Sequence, residues 1–232
     1  MEDSKKLFLL DAYALIYRGY YAFIKNPRIN SKGTDTSAIL GFMNSLLEII
    51  RTQNPDYLAV AFDKGGSITR SKMFTEYKSN RDKTPEPILV AIPYIKDILG
   101  AMKIPILEKE GYEADDVIGT VAKDAENNNF KVFMVTPDKD FAQLVSDNVF
   151  LCKPARMGNS MEIWGVNEVK EKFEVEDPEQ VIDYLGMMGD SVDNIPGLPG
   201  VGDKTAKKFL KQYGSLENLL KNSHEITGKL GE

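Results

Sequence analysis

The chain has 232 residues, 42% hydrophobic and 28% charged, enough for one sizeable core and a small appendage, and too balanced for a disordered or fibrous protein. Its 29 basic and 35 acidic residues give a net charge of −6 at pH 7, which taken alone argues mildly against a nucleic-acid partner. One cysteine, Cys152, and one histidine, His224, exclude an internal disulfide and a Cys/His zinc site, and they leave carboxylates or a metal to do any catalysis.

Short branched runs alternate with helical patterns. Residues 7–10 predict a buried strand and 12–23 an aromatic helix; 37–50 carry apolar residues at helical spacing. Residues 57–62 predict a second strand, 104–107 a third and 131–135 a fourth, with a helix over 113–127. After about Asn167 helix follows helix, and a boundary is expected near Pro178, with a small all-helical module beyond it. Such alternation predicts an α/β fold with a mainly parallel sheet. Residues 64–86 form a polar, basic insertion directly after a strand, which suits a functional loop. The short apolar start, ended by Asp11, is no signal peptide, and no run nears the roughly 20 apolar residues of a membrane span; a soluble, cytoplasmic protein that meets no membrane is expected.

Acids stand where strands end: Asp11 after the first, Asp63 after the second, Asp138 and Asp140 after the fourth. Open α/β sheets bind ligands outside the carboxyl ends of their strands. Glu113, Asp115 and Asp116 open a helix, and Asp190 and Asp193 close another. Each alone suits an N-cap or a helix dipole. Together on one rim they would repel unless cations compensate, and an oxygen-only set selects Mg²⁺ or Mn²⁺ over zinc. Such a site suits two-metal hydrolysis of a phosphodiester. No Walker-type glycine–lysine motif is present, which disfavours an NTPase.

Cations gather elsewhere. The insertion carries Lys64, Arg70, Lys72, Lys78, Arg81 and Lys83, interleaved with Phe74 and Tyr77, as a single-strand groove would require. Gly200 and Gly202 feed a helix bearing Lys204, Lys207, Lys208 and Lys211, a pattern that grips duplex phosphate without reading sequence. Trp164 and Cys152 are expected in the core.

Phe8-Leu9-Leu10-Asp11, Phe62-Asp63, Glu76 to Arg81, Thr84-Pro85-Glu86, Glu113 to Asp116, Thr136 to Asp140 and Gly189 to Gly197 occur in that order. In this the chain resembles, over nearly its whole length, the 5′ nuclease domain at the N-terminus of bacterial DNA polymerase I, in the wider flap endonuclease family. The resemblance implies a PIN-like sheet flanked by helices over residues 1–177, and a helical arch at about 64–92 that a 5′ single strand threads. Residues 178–232 would form a truncated helix-hairpin-helix module that binds duplex and holds K⁺. It also implies that Lys78 and Arg81 contact the scissile phosphate, that Tyr77 stacks on a base and that Arg18 lies near the substrate. Asp11, Asp63, Glu113, Asp115, Asp116, Asp138, Asp140, Asp190 and Asp193 would gather around two or more metal ions. A monomer acting on DNA with a 5′ single-stranded flap or a nick is expected, with a polymerase domain in the full-length chain. Residues 64–70 depart from the family pattern, and the chain stops at 228–232, where the family continues with further helices, so it reads as a fragment.

A PIN-type ribonuclease is the alternative within the class, separable by comparing flap DNA with its RNA counterpart. A non-catalytic DNA-binding module is disfavoured because every expected carboxylate stands. Setting the nine acids aside leaves 26 acidic against 29 basic residues, a balance of +3. The acidic total therefore marks the metal site, and the inference drawn from net charge alone is reversed.

Overall fold

Strand β1 (Lys6–Asp11) runs straight into helix α1 (Ala12–Phe23), followed by α2 (Ser37–Gln53), β2 (Tyr57–Ala61), α3 (Ile68–Met73) and α4 (Glu86–Ala101). Next come β3 (Ile106–Leu107), α5 (Ala114–Asn127), β4 (Lys131–Val135), a 3₁₀ turn (Lys139–Leu144), β5 (Val149–Lys153) and β6 (Glu162–Trp164). The chain ends with α6 (Val166–Phe173), α7 (Gln180–Met188), β7 (Gly189–Asp190), β8 (Ile195–Pro196), α8 (Asp203–Tyr213) and α9 (Leu216–Lys221). This computed structural model describes residues 4–154 and 161–226, so the readings made of residues 1–3 and of the chain's end at 228–232 lie outside the described residues.

Two compact units result. The first comprises the chain up to Ile68, Asp82–Asp138 and Asn148–Ile163; the second comprises Thr69–Arg81, Lys139–Asp147 and the chain from Trp164 onward.

The first unit is built on a six-stranded sheet in the order β3-β2-β1-β4-β5-β6. The β1–β2, β1–β4, β2–β3 and β4–β5 pairs are all parallel. Central strand β1 is buried on both faces, which is why Phe8-Leu9-Leu10 shows no polar alternation. Phe8, Leu10, Leu15, Phe42, Leu46, Val60, Phe62, Ile88 and Ile95 belong to one core cluster. Helices α1 and α2 meet backbone to backbone: a Cβ on Gly41 would stand 2.2 Å from the Gly19 Cα, so only glycine fits this crossing.

Helix α4 and strands β5 to β8 escape the sequence reading. Helix α4 contains Pro87 and Pro93; Pro87 lies in the first turn, where a missing N–H costs nothing, and Ile88, Ala91, Ile95 and Leu99 form its buried stripe. Strands β5 and β6 are short, and β5 lies too close to the 3₁₀ turn for a separate period to show. The third strand, expected over 104–107, is only Ile106–Leu107.

In the second unit, Phe173 packs edge-on against both Trp164 and Tyr184. The module expected to be all-helical contains one antiparallel ladder, Gly189 opposite Pro196 and Asp190 opposite Ile195. Backbones pass so closely here that a Cβ on Gly189 would lie 2.3 Å from the Gly197 nitrogen, and one on Gly197 2.4 Å from the Met188 carbonyl carbon. Glycine at both positions is therefore a steric requirement.

Candidate active site

The chain leaves β1 toward β2 on one side of the sheet and returns at β4 on the other, so the switch point lies at the carboxyl ends of β1 and β4. Asp11 stands there, 7% exposed. One of its oxygens caps α1 by accepting the Ala14 N–H at 3.1 Å; the other accepts the hydroxyl of fully buried Thr136 at 3.0 Å. That Thr136 oxygen in turn accepts the Asp138 N–H at 3.2 Å, linking the ends of β1 and β4. Asp63, two residues past β2, accepts the Ala114 N–H at 2.6 Å, at the start of α5. Asp116 accepts the Glu113 N–H at 3.0 Å in a capping-box arrangement, and Glu113 is 4% exposed. Glu113, Asp115 and Asp116 thus occupy the N-terminus of α5, where the helix dipole favours anions.

These acids do cap helices, as strand-end and first-turn acids ordinarily do, yet capping does not account for their electrostatics. Burial first, then the charges of Asp63 and Asp138, push the Asp11 carboxyl up to about 6, overriding the lowering effect of the Ala14 N–H and the Thr136 hydroxyl. Asp11, Asp63 and Asp138 therefore share one field. Among the described residues no three acids close into a ligand cluster. Asp11, Asp63 and Asp116 each accept a hydrogen bond from a nearby backbone N–H. The donor set around Asp11 is all oxygen, and its mutual repulsion is of the kind a hard divalent cation relieves. Cys152 is buried in the core, where desolvation lifts its thiol to about 12 and leaves it inert.

The remaining acids belong to the second unit. Asp140 lies in the 3₁₀ turn. Asp190 folds its own loop, accepting the Val192 N–H at 2.8 Å. Asp193 is the hub of a basic cluster: Arg81 donates to one oxygen, Tyr77 donates its hydroxyl to the other at 3.3 Å, and the Lys78 ammonium lies 3.7 Å from that same oxygen. The Lys78 ammonium also sits over the Tyr77 ring, 4.8 Å from its centre. The Lys78 backbone is left-handed, φ +57°, and its N–H donates to the Asp193 carbonyl at 2.9 Å. Lys78, Arg81 and Tyr77 are thus brought together as the sequence reading groups them, on an acid that reading assigns to metal.

Other candidates separate by environment. Arg18 on α1 donates to Ser45 on α2 at 3.3 Å, and Arg70 is half-buried on α3. Gly200 takes φ +76° and Gly202 caps α8, whose first N–H groups have no partner inside the helix. Lys204 and Lys208 are exposed on α8. Lys207 instead reaches Asp203 at 3.1 Å and Glu174 at 3.4 Å, while Tyr184 donates its hydroxyl to Asp203 at 2.7 Å. The sequence reading passes over Thr136, Asn80 and Asn194. Thr136 carries a signal, a hydroxyl in an otherwise apolar strand end; the two asparagines show only as turn formers.

The comparisons agree with this architecture. The profile of the 5'-3' exonuclease N-terminal resolvase-like domain matches residues 6–174, and that of the 5'-3' exonuclease C-terminal SAM fold matches residues 176–232. A 5'-3' exonuclease of Aquifex aeolicus is 45% identical over 94% of this chain and 73% of its own length. DNA polymerase I of Bacillus subtilis is 43% identical over 99% of this chain, which spans 26% of that relative's length. Crystals of the T5 D15 protein grown with metal ions share the fold at TM-score 0.76 and 22% identity, covering 98% of this chain and 82% of that one. Among the described residues no helix is long and apolar enough to cross a membrane. The sheet with acids at its switch point, the glycine-tight hairpin and these matches lead to one assignment: the chain belongs to the 5'-3' exonuclease family, a family of hydrolytic nucleases.

Proposed function

We propose that this chain is a divalent-metal-dependent nuclease that hydrolyses DNA phosphodiesters at 5′ ends and 5′ flaps. The observation that carries this reading is buried Asp11 at the switch point, its doubly hydrogen-bonded carboxyl lifted to about 6 by burial first and then by the charges of Asp63 and Asp138. Asp11, Asp63, Glu113, Asp115, Asp116 and Asp138 would hold Mg²⁺ or Mn²⁺, and Asp140, Asp190 and Asp193 are proposed as further metal acids. Bound divalent ions supply Lewis-acid polarisation of the phosphodiester and a more acidic water. Thr136 keeps one Asp11 oxygen oriented by its hydroxyl, and α5 offers the positive end of its dipole to the acids at its start. Lys78 and Arg81 are proposed to meet phosphate charge as it develops, with Tyr77 beneath a base and Arg18 and Arg70 along the strand. Gly200, Gly202, Lys204 and Lys208 are proposed to hold duplex backbone, with K⁺ at the hairpin. Residues 1–177 are proposed as the catalytic core and 178–232 as the duplex-binding module. A monomer, followed by a polymerase in a longer natural chain, completes the reading; relatives named DNA polymerase I support that last point.

The test is cleavage of a 5′-labelled flap duplex with Mg²⁺, with Mn²⁺ and with EDTA. Release of the flap with either metal, its loss in EDTA and its loss in Asp138→Ala, which should still bind the duplex in Ca²⁺, are the expected results. Metal-independent cleavage, or full activity of that variant, would sink the reading.

A further inference from the structure

Lys78 sits in the middle of a turn that is held from outside. Inside residues 74–81 the backbone closes on itself at Tyr77 to Phe74, Ser79 to Glu76 and Arg81 to Lys78. Lys78 nevertheless takes a left-handed φ of +57°, an uncommon conformation for a non-glycine residue. Asn194 holds the turn on either side of Lys78. Its side-chain amide donates to the Glu76 carbonyl at 2.8 Å and to the Ser79 hydroxyl at 3.1 Å, so the two hydrogen bonds bracket Lys78. Asn194 is itself left-handed, φ +58°, a conformation that asparagine tolerates well. Two further contacts tie the same surfaces: Asn80 donates to the Ser191 carbonyl at 2.7 Å, and the Lys78 N–H to the Asp193 carbonyl at 2.9 Å. All of these groups lie within the second compact unit.

We propose that Asn194 is a positioning residue that fixes the turn carrying Lys78 and Arg81, and thereby aims their charges; the proposal rests on reading those two cations as phosphate-facing groups. Both hydrogen atoms of its amide are used, and both end on the turn, so the role depends on the donor pair and not on side-chain size. The backbone at 194 needs a left-handed residue independently of this. Asn194→Gly supplies that conformation and removes the amide with the rest of the side chain; Asn194→Asp keeps shape and backbone tolerance but replaces the donors with a carboxylate facing the Glu76 carbonyl.

The test uses the whole chain and two readouts. In metal-free protein, trypsin cleavage after Lys78 and Arg81, followed by mass spectrometry, should rise roughly tenfold or more in Asn194→Gly, the scale set by losing two neutral hydrogen bonds under fast opening. In single-turnover cleavage of the flap duplex with Mg²⁺, the same variant should lose roughly 10²-fold in rate, as misaimed groups do, with affinity in Ca²⁺ held within about twofold. Asn194→Asp should behave as Asn194→Gly does in both assays. Unchanged tryptic protection overturns the proposal, and so does a loosened turn with undiminished cleavage. Restoration of both readouts by Asn194→Asp also overturns it, because backbone tolerance alone would then suffice. A wild-type chain that cleaves with neither Mg²⁺ nor Mn²⁺ refutes the functional reading instead, an outcome distinct from a wild type that cleaves and a variant that matches it.

Discussion

Asp193 accepts a hydrogen bond from the Arg81 guanidinium and lies 3.7 Å from the Lys78 ammonium, so one carboxylate is shared by both cations of the 76–81 turn. A phosphate drawn to Lys78 and Arg81 must compete with it. In EDTA, where metal binding plays no part, Asp193→Asn should therefore bind flap duplex more tightly, by roughly threefold to tenfold, the scale of a half-exposed ion pair. Fluorescence anisotropy reads this directly. Equal or weaker binding would mean that the carboxylate presents the two cations to phosphate and does not mask them.

Asp11 gives a stability signature with a definite sign. Its carboxyl is raised from 3.8 to about 6 in the folded state, so the fold binds that proton more tightly than the unfolded chain does. The associated stability is fully present below about pH 4 and is lost as pH rises through 6. Asp11→Asn, which keeps an acceptor for the Ala14 N–H, should stabilise metal-free protein at pH 8 by up to about 3 kcal/mol and by nothing at pH 3.5. Added Mg²⁺ should then stabilise wild type and leave the variant unmoved. Denaturant midpoints at the two pH values provide the check, and an equal effect at both would detach the shift from Asp11.

The lysines of α8 should divide. Lys204 and Lys208 are exposed, whereas Lys207 is engaged by Asp203 and Glu174. Replacing Lys204 and Lys208 by alanine should reduce the slope of log K against log salt for duplex binding by about 2. Lys207→Ala should leave the slope nearly intact and lower the stability instead. A slope that responds to Lys207 as strongly as to its neighbours would restore it to the phosphate surface.

Gly41→Ala tests the crossing of α1 and α2. A new methyl 2.2 Å from the Gly19 Cα has no rotamer to escape through, so the helices must part. A loss of about 3 kcal/mol or more is expected from chemical denaturation. A near-neutral result would show that the two helices can separate at little cost.

Most of the first unit is legible in the sequence because its signals are local. A branched run ending in an acid and followed by a helical stripe marks β1, Asp11 and α1 within a few residues, and the same grammar finds β2, Asp63, α5 and β4. Helix α4 was hidden by its prolines, and β5 and β6 by their brevity. Residue types alone give the carboxylates and exclude thiolate and imidazole chemistry, since no folding can add a histidine.

What the sequence could not determine is which partner each charged group takes. Asn194 lies 118 residues from Glu76, and Asp193 lies 112 from Arg81. No periodicity connects such positions, because the pairing follows from how the hairpin and the turn pack and not from either segment's own propensity. The same holds for Asp11, whose pKa is raised by burial first and then by the charges of Asp63 and Asp138, an environment that forms only once parallel strands align in register. The sequence determined which chemistry was available and at which strand ends; the tertiary structure decided which charges face one another, because electrostatic coupling depends on distance through space and not along the chain.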